Sequence, residues 1–422
     1  MFSRAVPRVA PRAAGLVQCE ASQVAARVPS WAMRCPQHPL SRRYRSTFRE
    51  QFGEQFRRSP ISFPFALVSI FALAGWGAYY IPWYYHNVIQ KPYHNFPEPV
   101  ANKLRRAIFY SRGQHLDVRE ANKYFRQALQ LATKMGMDPF SDEIMGVKYA
   151  IAALFEEQGY HAMACDVLEI MRTDTQRWID EFSDKHISDG NRSRVKKNMV
   201  QINLKLGQLY GCPYVNEPQD AEKRLVEAVE GALGELQRRE AEGIKQGEGL
   251  WMTNDELGAT LEALGQHYEH NDSHYLALPL FLRALELCPP TSCHSVVLMN
   301  NISTCLAQQT PPPASLTSSS PSSFPNTPVP PRTVLVDQAR QWADKALQRA
   351  GSITDQDEEC NVGCAVATHN LGEFYEMEGK IQDARRKYKD ADQLAKKIGF
   401  RQGQANAKAG IARLKELEKA KQ

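Results

Sequence analysis

The chain has 422 residues, 43% of them apolar, and a formal net charge of +5, which is enough apolar material for a large core and excludes a wholly disordered polypeptide. Residues 1–58 carry eleven Arg, no Lys and three Glu, a balance of +8, so residues 59–422 are net acidic at −3. The basic character belongs to the N-terminus, which argues against a phosphate-tracking nucleic-acid surface on the remainder.

Residues 1–45 read as a targeting peptide. Arg4, Arg8, Arg12, Arg27, Arg34, Arg42, Arg43 and Arg45 face a single acid, Glu20, and are separated by Ala, Val, Pro and Ser. A cation-rich, acid-poor segment suits import driven by a potential negative inside the mitochondrial matrix. Arg42-Arg43-Tyr44 has the Arg-x-Tyr form of a presequence cleavage site, which places the cut after Tyr44. Residues 46–60 then form a short matrix-side flank.

Residues 61–85 contain no charged side chain. As a helix they span ~37 Å, enough for a hydrocarbon layer of ~30 Å. Pro60 and Pro64 sit at the start, where a missing amide hydrogen costs little. Trp76, Tyr79, Tyr80, Trp83, Tyr84 and Tyr85 crowd the far end like an interfacial aromatic belt. Arg57 and Arg58 flank the near end, so the positive-inside rule puts the N-terminus in the matrix and the rest in the intermembrane space. Residues 86–100, with Pro92, Pro97 and Pro99, read as a stiff linker.

Beyond the linker the pattern is helical, and it repeats. Leu264-Gly265-x-x-Tyr268 is followed by Ala277, Phe281, Ala284 and Pro289. Leu371-Gly372-x-x-Tyr375 is followed by Gly379, Ala384, Tyr388 and Ala391 in the same register. This is the tetratricopeptide repeat (TPR) pattern. Small residues at the eighth and twentieth positions let two helices cross closely, and large ones at the seventh, eleventh and twenty-fourth fill the space between them. Weaker copies use Ile108, Ala121 and Phe125; Ile151, Ala152, Phe155, Ala164 and Leu168; Leu206, Gly207, Tyr210, Ala221 and Leu225; and Ile302, Ser303, Leu306, Ala339 and Ala343. The expected fold is all-α: a TPR-type right-handed helical solenoid of about six repeats over residues 101–400, with residues 401–422 as a capping helix. The copies stand wider apart than 34 residues, so some helices must be long; residues 165–184 and 221–243 are the candidates. Residues 309–332, rich in Pro, Ser and Thr, are expected to be a disordered insert.

No phosphate loop, nucleophile elbow or His-Glu-x-x-His motif is present, so no catalysis is expected, and no cofactor or metal. His267, His270 and His274 are read as a polar repeat edge rather than ligands. Cys19 and Cys35 leave with the presequence; Cys288 and Cys293 flank Pro289-Pro290, and Cys360 and Cys364 stand four apart. An oxidising compartment allows a disulfide, but twin Cys-x9-Cys pairs are absent, and small buried or free thiols are expected. The remaining candidate site is the concave groove lined by the first helix of each pair. Its inward positions include Gln208, Glu262, Gln266, Glu269, Asn300, Thr304, His369 and Glu373. No register pairs Lys with Asn at positions five and nine, the clamp that chaperone-binding TPRs close on a C-terminal carboxylate. A groove of amides and acids suits extended or basic unfolded polypeptide.

A presequence, one span near residue 70, a Pro spacer and a widely spaced array with Leu264-Gly265 and Leu371-Gly372 boxes together resemble the fungal "mitochondrial genome required" family of TPR adaptors. The resemblance implies a non-catalytic subunit of the inner-membrane i-AAA protease complex. It would recruit unfolded proteins in the intermembrane space for degradation, beside an AAA protease subunit and a companion adaptor. The competing expectations are a TPR assembly factor for a respiratory-chain complex, which the chain also resembles, and an import receptor.

Overall fold

The computed structural model describes residues 48–89, 91–309, 330–354 and 356–421. The expected targeting segment (residues 1–45) and nearly all of the 309–332 insert lie outside the described residues. The chain divides into two units, residues 1–87 and 88–422.

In the first unit, α1 (Phe48–Arg58) precedes α2 (Ser62–Tyr84). Phe52 and Phe56, four apart on α1, meet the ring of Phe63 edge-on at 5.2 and 5.8 Å. The helical stretch Ser62–Val88 has mean hydropathy 1.5 and is long and apolar enough to cross a membrane. Pro82 lies inside α2, and the helix loosens into a single π turn, Tyr85–Ile89, as expected where an i−4 hydrogen bond is lost. Trp76 stacks on Tyr80 at 4.8 Å, one helical turn away.

The second unit is a stack of helix pairs. They are α3 (Glu98–Ser111) with α4 (Val118–Lys134), α5 (Asp142–Glu157) with α6 (His161–Phe182), and α7 (Asn191–Tyr210) with α8 (Pro218–Glu242). Next come α9 (Asn254–His270) with α10 (His274–Leu287), α11 (His294–Gln308) with α12 (Arg332–Ser352), and α13 (Glu358–Met377) with α14 (Ile381–Lys397). Helix α15 (Arg401–Lys421) closes the array against α14 and α13. No strand occurs among the described residues. Each helix packs on the next, and first helices also meet across a pair, α7 on α9 and α11 on α13.

Small residues set the crossings. A Cβ added to Gly265 would stand 2.9 Å from the Phe281 ring, one on Gly372 2.7 Å from Tyr388, and one on Gly207 2.4 Å from Leu225. Phe281 and Tyr388 are fully buried there, as are Ala121, Ala164, Ala221, Ala277, Ala339 and Ala384 at the twentieth register position. This is the TPR-type solenoid: the helices approach until the glycine backbone itself is the packing surface. Asp117, Ser141, Thr253 and Asp357 accept backbone N–H bonds at helix starts, satisfying donors that have no intrahelical partner. Gly159 and Gly379 end α5 and α13 at φ +77° and +76°, a conformation that disfavours any side chain.

Two second helices are long. α6 has 22 residues and α8 has 25, against 14 in α10. The extra turns of α8 carry Glu235, which with Glu248 of the following loop forms a buried ion cluster. Lys196 Nζ stands 3.0 Å and Arg239 Nε 3.3 Å from Glu235. Arg238 pairs with both carboxylates, and Arg192 reaches Glu248 at 3.6 Å. Burial pushes the Glu235 carboxyl up, but hydrogen bonds from Arg238 and Lys196 outweigh it and hold the group down at about 2.

The expectation of separate thiols fails at one pair. Cys293, at the start of α11, and Cys360, in the first turn of α13, form a disulfide with Cα atoms 4.8 Å apart. Their separation of 67 residues conceals that neighbouring first helices place them side by side. Cys165, Cys212, Cys288, Cys305 and Cys364 are free.

Candidate polypeptide-binding groove

The eight expected groove residues do not form one surface. Gln208 on α7 and Gln266 on α9 are exposed and face the same cleft of about 280 Å³, which Asn216, His267, His270 and Asn271 also line. The backbone reaches this cleft directly at Gly207 and Gly211. Its polar side chains are neutral amides and imidazoles. Each amide offers both a donor and an acceptor, the complement of a peptide group in an extended chain. His267 is held below its ordinary value by burial, opposed by the Glu222 carboxylate, and so stays neutral near pH 7. His270 Nδ1 lies 2.6 Å from the Gln266 carbonyl oxygen. His274 is turned away into the α10 packing at 4% exposure.

Glu262 belongs to a second cleft, of about 350 Å³, with Asp255, Cys288 and His294. Here the structure adds a residue that the register did not pick out. His294 Nε2 is 2.8 Å from Glu262 Oε2, and its Nδ1 is 2.8 Å from Glu359 Oε1. One imidazole therefore bridges α9, α11 and α13. The Glu262 hydrogen bond, with that of Glu359, outweighs burial and raises His294 to about 9, so it is an imidazolium at neutral pH. Its sequence signal is faint: a polar residue opening an apolar helix, two positions before the repeat register begins. Gln266 Nε2 donates to Glu262 Oε1 at 3.1 Å and links the two clefts.

The other four residues are taken up by α11–α13 packing. Asn300 is 3% exposed and donates to the Gly363 carbonyl at 2.9 Å. Thr304 donates to the Asn300 carbonyl and accepts from Asn370. His369 lies 3.4 Å from Glu373, and Arg413 of α15 reaches Glu373 at 3.8 Å. Glu269 is half-buried, and burial raises its carboxyl above the ordinary range.

A TPR repeat-containing protein of Schizosaccharomyces pombe is 26% identical to this chain over 335 residues, covering 76% of this chain and 79% of the relative. No family model matches the chain. Solved structures with similar helix arrangements include BtubC (BKLC) from P. vanneervenii, at 14% identity and a TM-score of 0.40, covering 71% of this chain and 91% of that one. Another is a signal transduction ATPase with numerous domains and a tetratricopeptide repeat sensor from Pyrococcus horikoshii. It has 13% identity and a TM-score of 0.43, and the match covers 76% of this chain and 39% of that one.

Proposed function

We propose that this chain is a membrane-anchored adaptor that holds unfolded polypeptide and performs no chemistry of its own. The observation that carries the reading is the amide-lined cleft between α7 and α9, in a repeat array preceded by one apolar membrane-length helix. Neutral donors and acceptors recognise the backbone common to all unfolded chains, and the absence of a carboxylate clamp removes a preference for one terminus. The Arg-rich N-terminus and the acid-free span support a mitochondrial inner-membrane site with the array in the intermembrane space. In that place the protein acts as a substrate-recruiting subunit of the i-AAA protease complex. Tethering beside a protease raises the local concentration of substrate without a new active site.

Gentle detergent purification of the tagged protein, with partners identified by mass spectrometry, tests this directly. AAA protease subunits are expected; their absence, with cytochrome bc1 subunits in their place, would assign the chain to complex assembly instead. Replacing both Gln208 and Gln266 by Ala should weaken capture of a reduced, unfolded model protein by roughly tenfold, the loss of one to two hydrogen bonds. Thermal stability should stay within about 0.5 kcal/mol of the parent, because both side chains are exposed.

A further inference from the structure

The third helix pair carries a polar residue where the repeat template has a bulky one. Three positions before the Leu of the Leu-Gly-x-x-Tyr box the template places Trp. Leu261 and Met299 fill that position in the fourth and fifth pairs and are buried. In the third pair it is Asn203, 3% exposed, whose Oδ1 is buried and has no hydrogen-bond partner among the described residues. Buried amides are ordinarily satisfied, so an orphaned acceptor calls for a donor.

Beside Asn203 lies a cleft of about 410 Å³. Its floor is Met199, Val200 and Asn203 of α7, and its walls include Arg172 and Ile179 of α6 and Gly231 of α8. The two long second helices are joined where Arg224 Nε meets Glu169 Oε1 at 2.9 Å. Arg172 is held to the other oxygen of the same carboxylate at 2.8 Å, which fixes its guanidinium at the wall.

We propose that this cleft receives one Trp or Tyr side chain from an extended segment of a partner polypeptide, with the indole N–H or phenol O–H donated to Asn203 Oδ1. The partner supplies the bulk that the template keeps within the chain. An aromatic ring suits each contact: a thioether at Met199, a guanidinium face at Arg172, and aliphatic carbons at Val200 and Ile179. The donor is the selective element. A Leu side chain fills the same space and leaves Oδ1 unpaired, and sites built around a hydrogen bond discriminate strongly against ligands that lack it. The cleft opens between second helices and shares no residue with the α7–α9 cleft, so it is a separate contact point, independent of the reading above.

Fluorescence anisotropy tests it, using the purified full-length chain in detergent and the labelled peptide Gly-Ser-Trp-Ser-Gly, against the same peptide with Leu in place of Trp. The Trp peptide is expected to bind at least about tenfold tighter. Asn203→Leu should raise the melting temperature, since it removes the buried orphan, and reduce Trp-peptide affinity to the level of the Leu peptide. Gly231→Leu is a second variant: a Cβ there stands at ordinary contact, 3.4 Å from Val200, so the fold tolerates it while the added side chain covers the mouth and weakens binding. Equal affinities for the two peptides, or an unchanged Trp-peptide affinity in both variants, overturns the proposal and leaves the groove reading standing.

Discussion

His294 shows how one side chain couples three repeats. Two carboxylates on different helices hold it as a cation, and its folded value of about 9 lies above the ordinary 6.5. A raised value means the folded state binds the proton more tightly. The stabilisation is therefore complete below pH 6.5 and is lost as pH rises through 9. His294 is 38% exposed, so solvent screening limits the effect to on the order of 1 kcal/mol. Thermal melts between pH 6 and pH 10 should show a fall that the His294→Gln variant lacks; parallel profiles for the two proteins would refute the coupling. None of this was readable in advance. Glu262, His294 and Glu359 are 32 and 65 residues apart, and only the stacking of first helices brings them together.

Helices were the level at which sequence spoke most clearly. A Gly that must touch Phe281 or Tyr388 and an Ala that must vanish into a crossing are requirements local to one pair, so a fixed register exposes them. Excess length in α6 and α8 was legible as wide repeat spacing, but its use was not. The added turns of α8 place Glu235 beneath Arg238, Arg239 and Lys196, with Glu248 brought over by the following loop. That cluster depends on a loop path that no periodicity encodes. Removing one carboxylate leaves buried cations uncompensated, so Glu235→Ala should cost about 3–5 kcal/mol. Hydrogen exchange should localise the loss to the end of α8 and the start of α7; a variant as protected there as the parent would show the cluster to be dispensable. The groove residues failed to form one surface for a related reason. Register says which side a residue faces, but it does not say whether the next repeat has already claimed the group, as α13 claims Asn300.

Across the whole molecule, stability in a stack of pairs passes from neighbour to neighbour. The Cys293–Cys360 bond departs from that scheme by joining two first helices directly, bypassing α12. Closing a loop of 67 residues should contribute roughly 4 kcal/mol on the chain-entropy account. Urea titration with and without reductant measures it, and Cys293→Ser should match the reduced protein. If the two titrations coincide, the bond stabilises nothing.

The position of that bond has a consequence for survival beside a protease. Residues 310–329 lie between its two cysteines. A backbone cut anywhere within them leaves the portion ending in α11 and the portion beginning with α12 covalently joined through sulfur. The nicked protein should migrate as one species on a non-reducing gel and as two after dithiothreitol. Damage at this junction would then be survivable, with the last repeats and their cap retained in place.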